Sequence, residues 1–214
     1  MLNQPISPKF DNTPETNIQA DKSILRQKIR KQRRCLNPAE QRKASRNLTR
    51  QLYRSRLLLR HQFIALYLGS DGELNPEILI KQLWRQKKHV YLPVIHPFSS
   101  NRLFFCRIQA NTQLIKNKFG ILEPDLKCTP RLPKQCLSLV LMPLVAFDSK
   151  GNRMGMGGGF YDRSFAYKAD KNKGIKPKLV GIAHAFQEQT YLPVEPWDIP
   201  LEGILTDKSY YQFK

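Results

Sequence analysis

The chain has 214 residues, 41% of them hydrophobic, and its 36 lysines and arginines against 17 acids give a formal charge of +19 at neutral pH. That length fills one domain with a sizeable core but not two, and no apolar run reaches the ~20 residues a membrane-spanning helix needs. Cysteines at 35, 106, 128 and 136 form no C-x-x-C pair and scatter over predicted helix, strand and loop, which argues against a zinc site or a disulfide framework and for a reducing, cytoplasmic setting.

Residues 1–20 are rich in Pro, Asn and Thr and lack the apolar core of a signal peptide, while Asp11, Glu15 and the absence of arginine disfavour a transit peptide. They read as a disordered leader ahead of one domain over 21–214. From Lys22 to Arg60 there are fourteen basic residues and a single acid, Glu40. Ile24, Leu25 and Ile29 recur at helical spacing within this run and predict an amphipathic helix over 22–34. Asn37-Pro38-Ala39-Glu40 then reads as a helix start, with Asn37 capping, Pro38 in the first turn and Glu40 reaching back. Ala44, Leu48 and Leu52 line one face of that second helix.

FIALYL (63–68) follows as a buried strand. Asn75-Pro76-Glu77 repeats the cap-and-proline device and opens a helix carrying Ile78, Leu79, Leu83 and Trp84. HVYLPVI (89–95) is the next strand, so the three segments form a right-handed parallel crossover. LFFCRI (103–108) is a further strand, and 117–133 reads as mostly loop. LSLVLMPLVAFD (137–148) is nearly all apolar, the pattern of a strand buried on both faces of a parallel sheet. A helix is expected over 160–168, and LVGIAHAF (179–186) and GILTD (203–207) close the sheet. The order predicts a single three-layer α/β/α domain with a mostly parallel, Rossmann-like sheet and a ligand crevice at the strand carboxyl ends.

Between the 137–148 strand and the 160–168 helix lies RMGMGGGFYDR (153–163). Gly155, Gly157, Gly158 and Gly159 allow the backbone to lie against a ligand and to aim several N–H groups at one anion, and the helix that follows favours negative charge at its start. Strand, glycine turn and helix make phosphate-binding geometry, with a plain mobile loop as the alternative. The segment is neither a Walker loop, since no Gly-Lys-Ser/Thr follows, nor the dinucleotide fingerprint, since its spacing is G-x-G-G-G late in the chain. The basic run at 22–60 reads as a solvated helical face rather than a nucleic-acid contact, because it lacks the interleaved aromatics that base stacking needs.

These residues resemble the 5-formyltetrahydrofolate cyclo-ligase (methenyltetrahydrofolate synthetase) family. Its hallmark is a Pro-x-x-x-Phe-Asp strand end followed by Arg-x-Gly-x-Gly-x-Gly-Tyr-Tyr-Asp, matched here by Pro143, Phe147, Asp148, Arg153, Gly155, Gly157, Gly159, Phe160, Tyr161 and Asp162. Phe160 stands where the family has its first tyrosine. A Lys-x-x-x-Arg element falls on Lys22 and Arg26, a Tyr-x-x-x-x-x-Glu strand end on Tyr67 and Glu73, a Phe-Gly-Ile-x-Glu-Pro turn on 119–124, and a late acid on Asp198. The five elements come in order across 22–207.

The resemblance implies conversion of 5-formyltetrahydrofolate to 5,10-methenyltetrahydrofolate with ATP cleaved to ADP and phosphate. It implies that Lys22 and Arg26 face the triphosphate and that Arg153 neutralises the transferring phosphoryl group. Arg153, Met154, Gly155, Met156, Gly157, Gly158, Gly159, Phe160 and Tyr161 would wrap the nucleotide. The reduced folate would meet Arg26, Leu68, Glu73, Met156, Gly157, Gly158, Gly159 and Phe160, with magnesium at Asp162 and Asp198. Gln187 and Gln189 are expected to line the same crevice. Two rival readings are an RNA-associated basic α/β protein, which rests on the amino-terminal charge, and a sugar-phosphate isomerase or transferase, which leaves Lys22, Arg26 and magnesium without roles.

Overall fold

The order in which the strands wind, not their number, is what creates a crevice. A computed structural model describes residues 14–99, 101–117, 119–127, 129–169 and 176–213. Its helices are α1 (Pro14–Arg34), α2 (Pro38–Arg54), α3 (Glu77–Arg85) and α4 (Phe160–Phe165). The strands are β1 (Phe63–Ala65), β2 (His89–Ile95), β3 (Leu103–Ile108), β4 (Leu114–Lys116), β5 (Leu122–Pro124), β6 (Arg131–Leu132), β7 (Leu139–Pro143), β8 (Ala146–Phe147), β9 (Arg153–Met154), β10 (Lys178–Ala183), β11 (Gly203–Thr206) and β12 (Tyr210–Gln212).

Eight strands form one sheet in the order β12-β11-β10-β7-β1-β2-β3-β6. β11, β10, β7, β1 and β2 pair in parallel, whereas β3, β6 and β12 join antiparallel at the edges. Taken in chain order, the parallel strands lie 2-1-3-4-5, so the winding reverses between β1 and β7. That switch point leaves a gap beyond the carboxyl ends of those two strands, the place where open α/β sheets bind ligands.

Alternation along the strands divides the core. Ile64, Leu66, Val90, Leu92, Leu139, Leu141, Val180 and Ile182 meet Leu48 and Leu52 of α2 and Leu79 and Leu83 of α3. Ala65, Tyr91, Val140, Met142, Leu179 and Ile204 meet Phe165 of α4 together with Leu144, Phe147, Ile199 and Leu201. Leu48, Leu52, Leu79 and Leu83 are wholly buried, and each contributes about 1.5–3 kcal/mol by leaving water. α1 covers neither face. Its Ile29 and Leu25 pack with Val145, Ala146, Met154 and Leu192, which lays the helix across the carboxyl ends of the strands.

The cap at Asn37 forms as expected, whereas α3 has Pro76 at its N-cap and Asn75 stands one residue further out, bonding only the first helical amide. Asn37 accepts from the amides of Ala39 and Glu40 while Glu40 bonds back to the Asn37 amide, and Asn75 accepts from the Glu77 amide at 3.0 Å. α1 begins at Pro14, eight residues before the expected start, so only 1–13 of the expected leader lie outside the described residues. β5 and β6 fall in the segment read as loop, and β12 is an additional edge strand.

The apolar segment 137–148 is not one strand. β7 ends at Pro143, whose missing N–H cannot extend a ladder, and the chain turns into the β8–β9 hairpin. Gln187 takes over the freed carbonyls, donating from Nε2 to Leu144 at 2.9 Å and to Val145 at 2.8 Å. Buried and fully occupied in this way, Gln187 is a structural residue and not a wall of the crevice. Half-buried Gln189 donates its side-chain amide to the Glu188 carbonyl. Among the described residues no helix is long and apolar enough to cross a membrane, and Cys35, Cys106 and Cys136 are free; Cys128 lies outside the described residues.

Candidate active site

Asp148 builds the turn that presents Arg153. Its Oδ1 accepts from the amides of Lys150 at 2.9 Å and Asn152 at 3.1 Å, its Oδ2 accepts from the Asn152 side chain at 2.9 Å, and the carboxylate is 1% exposed. The hairpin so closed delivers Arg153 to the crevice mouth, where its guanidinium pairs with Asp162 and donates to the Ile199 carbonyl. Asp162 also accepts from the Ile199 amide at 3.2 Å, so Arg153, Asp162 and the 198–199 backbone form one unit.

The glycine loop leaves from Met154, whose side chain is buried under α1 and whose backbone alone is available to a ligand. Gly157 and Gly159 have φ of +97° and +62°, a region that side chains other than glycine's avoid. Asn101 and Arg163 donate to the Gly158 carbonyl at 2.9 and 2.7 Å, which fixes the far side of the loop. Phe160 meets Phe119 edge to face at 6.2 Å, so the 119–124 turn closes over the loop. Met156 stands half exposed at the tip.

α1 brings its cations to the same place. Arg26 Nε donates to the Gly155 carbonyl at 2.9 Å, and the guanidinium lies beside Gly157. Burial lowers the Arg26 pKa, and the nearby Asp198 carboxylate works against that shift. Lys22, one turn earlier, is buried and pairs with Glu195 at 3.2 Å. Asp198 Oδ2 accepts from the Glu195 amide at 2.9 Å, which ties the late acidic loop to both cations.

The third wall is the turn after β1. Asp71 lies in the left-handed region at φ +49° and receives Arg33 at 2.8 Å, Arg30 at 2.7 Å and Arg34. Burial pushes the Asp71 carboxyl up, yet the hydrogen bonds from Arg30, Arg34 and Arg33 outweigh it and hold the group below its usual range. Gly72 follows at φ +70°, and a Cβ there would sit 2.7 Å from the backbone of Arg33, so α1 lies directly on this turn. Gln41 donates to the Gly72 carbonyl at 3.0 Å, and His184 Nε2 lies 3.3 Å from it. Strain of this kind persists only where the surroundings over-determine it.

The turn holds Glu73. Its Oε2 accepts from the Ser70 amide at 3.1 Å and lies 3.3 Å from the Ser70 hydroxyl, while Arg33 Nη1 stands 3.9 Å from Oε1. Burial dominates and raises the Glu73 pKa. Burial also raises those of Tyr67 and Tyr161, the Glu73 charge adding to both. Tyr67 donates to the Leu74 carbonyl at 2.6 Å, and Leu68 packs against the α2 side of the core.

The structure therefore gathers Arg26, Arg153, the 155–161 loop, Asp162 and Asp198 around one mouth, and sets Glu73 near Tyr161. It adds Arg33, Asp71, Asn101 and Glu195, which no local pattern marks, because their partners lie between 38 and 173 residues away. Among the described residues no three His, Cys, Asp or Glu side chains gather to hold a metal alone. Magnesium needs no such cage, since one or two carboxylates together with substrate phosphates suffice.

The 5-formyltetrahydrofolate cyclo-ligase family model matches residues 18–207. The chain belongs to the 5-formyltetrahydrofolate cyclo-ligase family. It is 44% identical over 181 residues to the 5-formyltetrahydrofolate cyclo-ligase of Haemophilus influenzae, covering 85% of this chain and 95% of that one. It is 41% identical over 186 residues to the enzyme of the same name from Escherichia coli K12, covering 86% and 100%. The solved structure of Aquifex aeolicus 5,10-methenyltetrahydrofolate synthetase superimposes with a TM-score of 0.75 at 30% identity, over 90% of this chain and 93% of that one. A Mycoplasma pneumoniae 5,10-methenyltetrahydrofolate synthetase shares the fold at a TM-score of 0.68 and 23% identity, over 88% and 99%.

Proposed function

We infer that this protein closes 5-formyltetrahydrofolate to 5,10-methenyltetrahydrofolate at the cost of one ATP, and that the mouth around the glycine loop is where it does so. The chemical difficulty is that the N5 formyl group is an amide whose oxygen leaves poorly. Transfer of the γ-phosphoryl group to that oxygen gives a phosphorylated intermediate and ADP. N10 then attacks the formyl carbon and gives up its proton, the C–O bond breaks, and phosphate departs with the oxygen and takes up that proton as the ring closes. Such transfer asks a protein mainly for positioning and charge neutralisation.

The observation that carries this reading is the Arg26 hydrogen bond to Gly155, which sets a cation of α1 against the loop that would hold the phosphates. Arg153, fixed by Asp162 and the Ile199 carbonyl, neutralises the transferring group, while the amides of Gly155, Met156, Gly157, Gly158, Gly159, Phe160 and Tyr161 take the remaining phosphate oxygens. Lys22 reaches the triphosphate by exchanging its Glu195 partner for it. Asp162 and Asp198 each keep one carboxylate oxygen that no described residue bonds, a donor set suited to magnesium shared with the phosphates, and the ion supplies further neutralisation when bound. Glu73 holds the polar edge of the pterin, with Leu68, Met156 and Phe160 against its rings. Phe160 lacks the tyrosine hydroxyl and so contributes stacking alone. The free cysteines suit a cytoplasmic setting.

Purified protein mixed with 5-formyltetrahydrofolate, ATP and magnesium should develop methenyltetrahydrofolate absorbance. No signal above a protein-free control at saturating substrates would contradict the inference.

A further inference from the structure

α2 carries a second basic feature that the proposed reaction does not use. Arg42, Arg46, Arg50 and Arg54 follow one another at four-residue intervals, so they climb a single ridge of the helix with about 6 Å between neighbours and about 18 Å from first to last. All four are exposed, Lys43 stands exposed beside them, and none has an acidic partner among the described residues. The helix's only acid, Glu40, is turned back onto the Asn37 amide at 2.8 Å. Its opposite face, with Leu48 and Leu52, is sealed against the sheet. Like charges four residues apart destabilise a helix, and ordinary surface helices interleave acids to avoid this. Here the repulsion is left uncompensated over the whole length of α2.

We propose that this ridge is a docking surface for duplex nucleic acid, gripped through its phosphate backbone. Charge complementarity identifies the occupant: a ridge of guanidiniums that winds gently, about 40° per step, around the outer side of the helix, each able to fork onto a phosphate, matches a polyanion whose regularly repeated phosphates also wind around an axis. The same face identifies the mode. Tyr53, the one aromatic residue of α2, packs against the core, so no ring is offered for base stacking and the contact reads backbone and not sequence. The ridge faces away from the sheet, while the candidate active site lies at the strand carboxyl ends, so nucleic acid and folate need not compete.

The test is fluorescence anisotropy of short labelled RNA and DNA duplexes of two unrelated sequences, titrated with the full chain at about 0.15 M salt, close to physiological ionic strength. All four duplexes should bind alike. Arg42→Gln/Arg46→Gln/Arg50→Gln/Arg54→Gln should weaken binding by about 10-fold or more and reduce the slope of log K against log salt by roughly 3–4. The milder pair Arg46→Gln/Arg50→Gln should give about half that change in slope and covers the case in which the fourfold variant fails to fold. Neutralising four exposed cations elsewhere, Arg85, Lys87, Lys116 and Lys127, removes the same net charge and should leave the slope unchanged. Turnover of 5-formyltetrahydrofolate should persist in every variant. Equal losses in the α2 and control variants would mean bulk charge alone and would overturn the proposal. So would an absence of duplex binding, or a preference for phosphatidylserine vesicles over duplexes.

Discussion

α1 and α2 carry arginines at similar density and are adjacent in the chain, yet the fold uses them in opposite ways. On α1, Arg30, Arg33 and Arg34 converge on Asp71, and Arg26 on the Gly155 carbonyl. On α2, four arginines point outward without an acid among the described residues. The cause is position. α1 lies across the strand carboxyl ends, where loops supply carbonyls and carboxylates, whereas α2 lies on a sheet face that buries its apolar stripe and leaves the rest to solvent. The lesson is that a basic run in a sequence has no single meaning, since part of it here fixes a site and part remains a surface.

The largest effect is expected at Asp71, on which three arginines of α1 converge. Asp71→Ala leaves the wholly buried Arg33 with only the more distant Glu73, 3.9 Å away, as a counter-charge and should lower unfolding stability by about 3 kcal/mol, read as a shift in the urea midpoint. Because the Asp71 pKa is depressed in the fold, its contribution is fully present above the ordinary value of 3.8 and is lost as pH falls below it. The wild-type advantage over the variant should therefore shrink under acid, and a constant difference down to low pH would refute the pairing. Next comes Arg153→Ala, which should reduce turnover by more than ~10-fold with folding intact. An unchanged rate would remove Arg153 from the reaction.

Glu73→Gln sharpens the contrast from the other side. Its carboxyl is raised in the fold, so the carboxylate detracts from stability as pH climbs above the ordinary value of 4.5. The variant should melt at a higher temperature than wild type at pH 7 and show a raised KM for the folate, the usual opposition of stability and function. A lower melting temperature would contradict the placement. The smallest effect is expected on α2, where Arg46→Ala should change stability by no more than about 0.5 kcal/mol and leave turnover untouched.

Much of the fold was legible because local patterns carried it. The two Asn-Pro helix starts, the alternation in β2 and the helical spacing of Leu48 and Leu52 each contain their own signal. The break after Pro143 was hidden because 137–148 is apolar throughout, and composition cannot tell one buried strand from a strand followed by a buried hairpin. β5, β6 and β12 are two or three residues long, too short for periodicity to register. In the site, the glycine loop and its arginine were visible as a contiguous motif, whereas the Arg33–Asp71 pair joins residues 38 positions apart and arises only when α1 crosses the strand ends.

The most direct test is a crystal structure of the protein with magnesium and a non-hydrolysable ATP analogue. The expected result is the polyphosphate cradled by the amides of 155–161, with Arg26 and Arg153 against its oxygens. A nucleotide whose phosphates lie away from that loop, with Arg26 still bonded to Gly155 and Arg153 to Asp162, would contradict it.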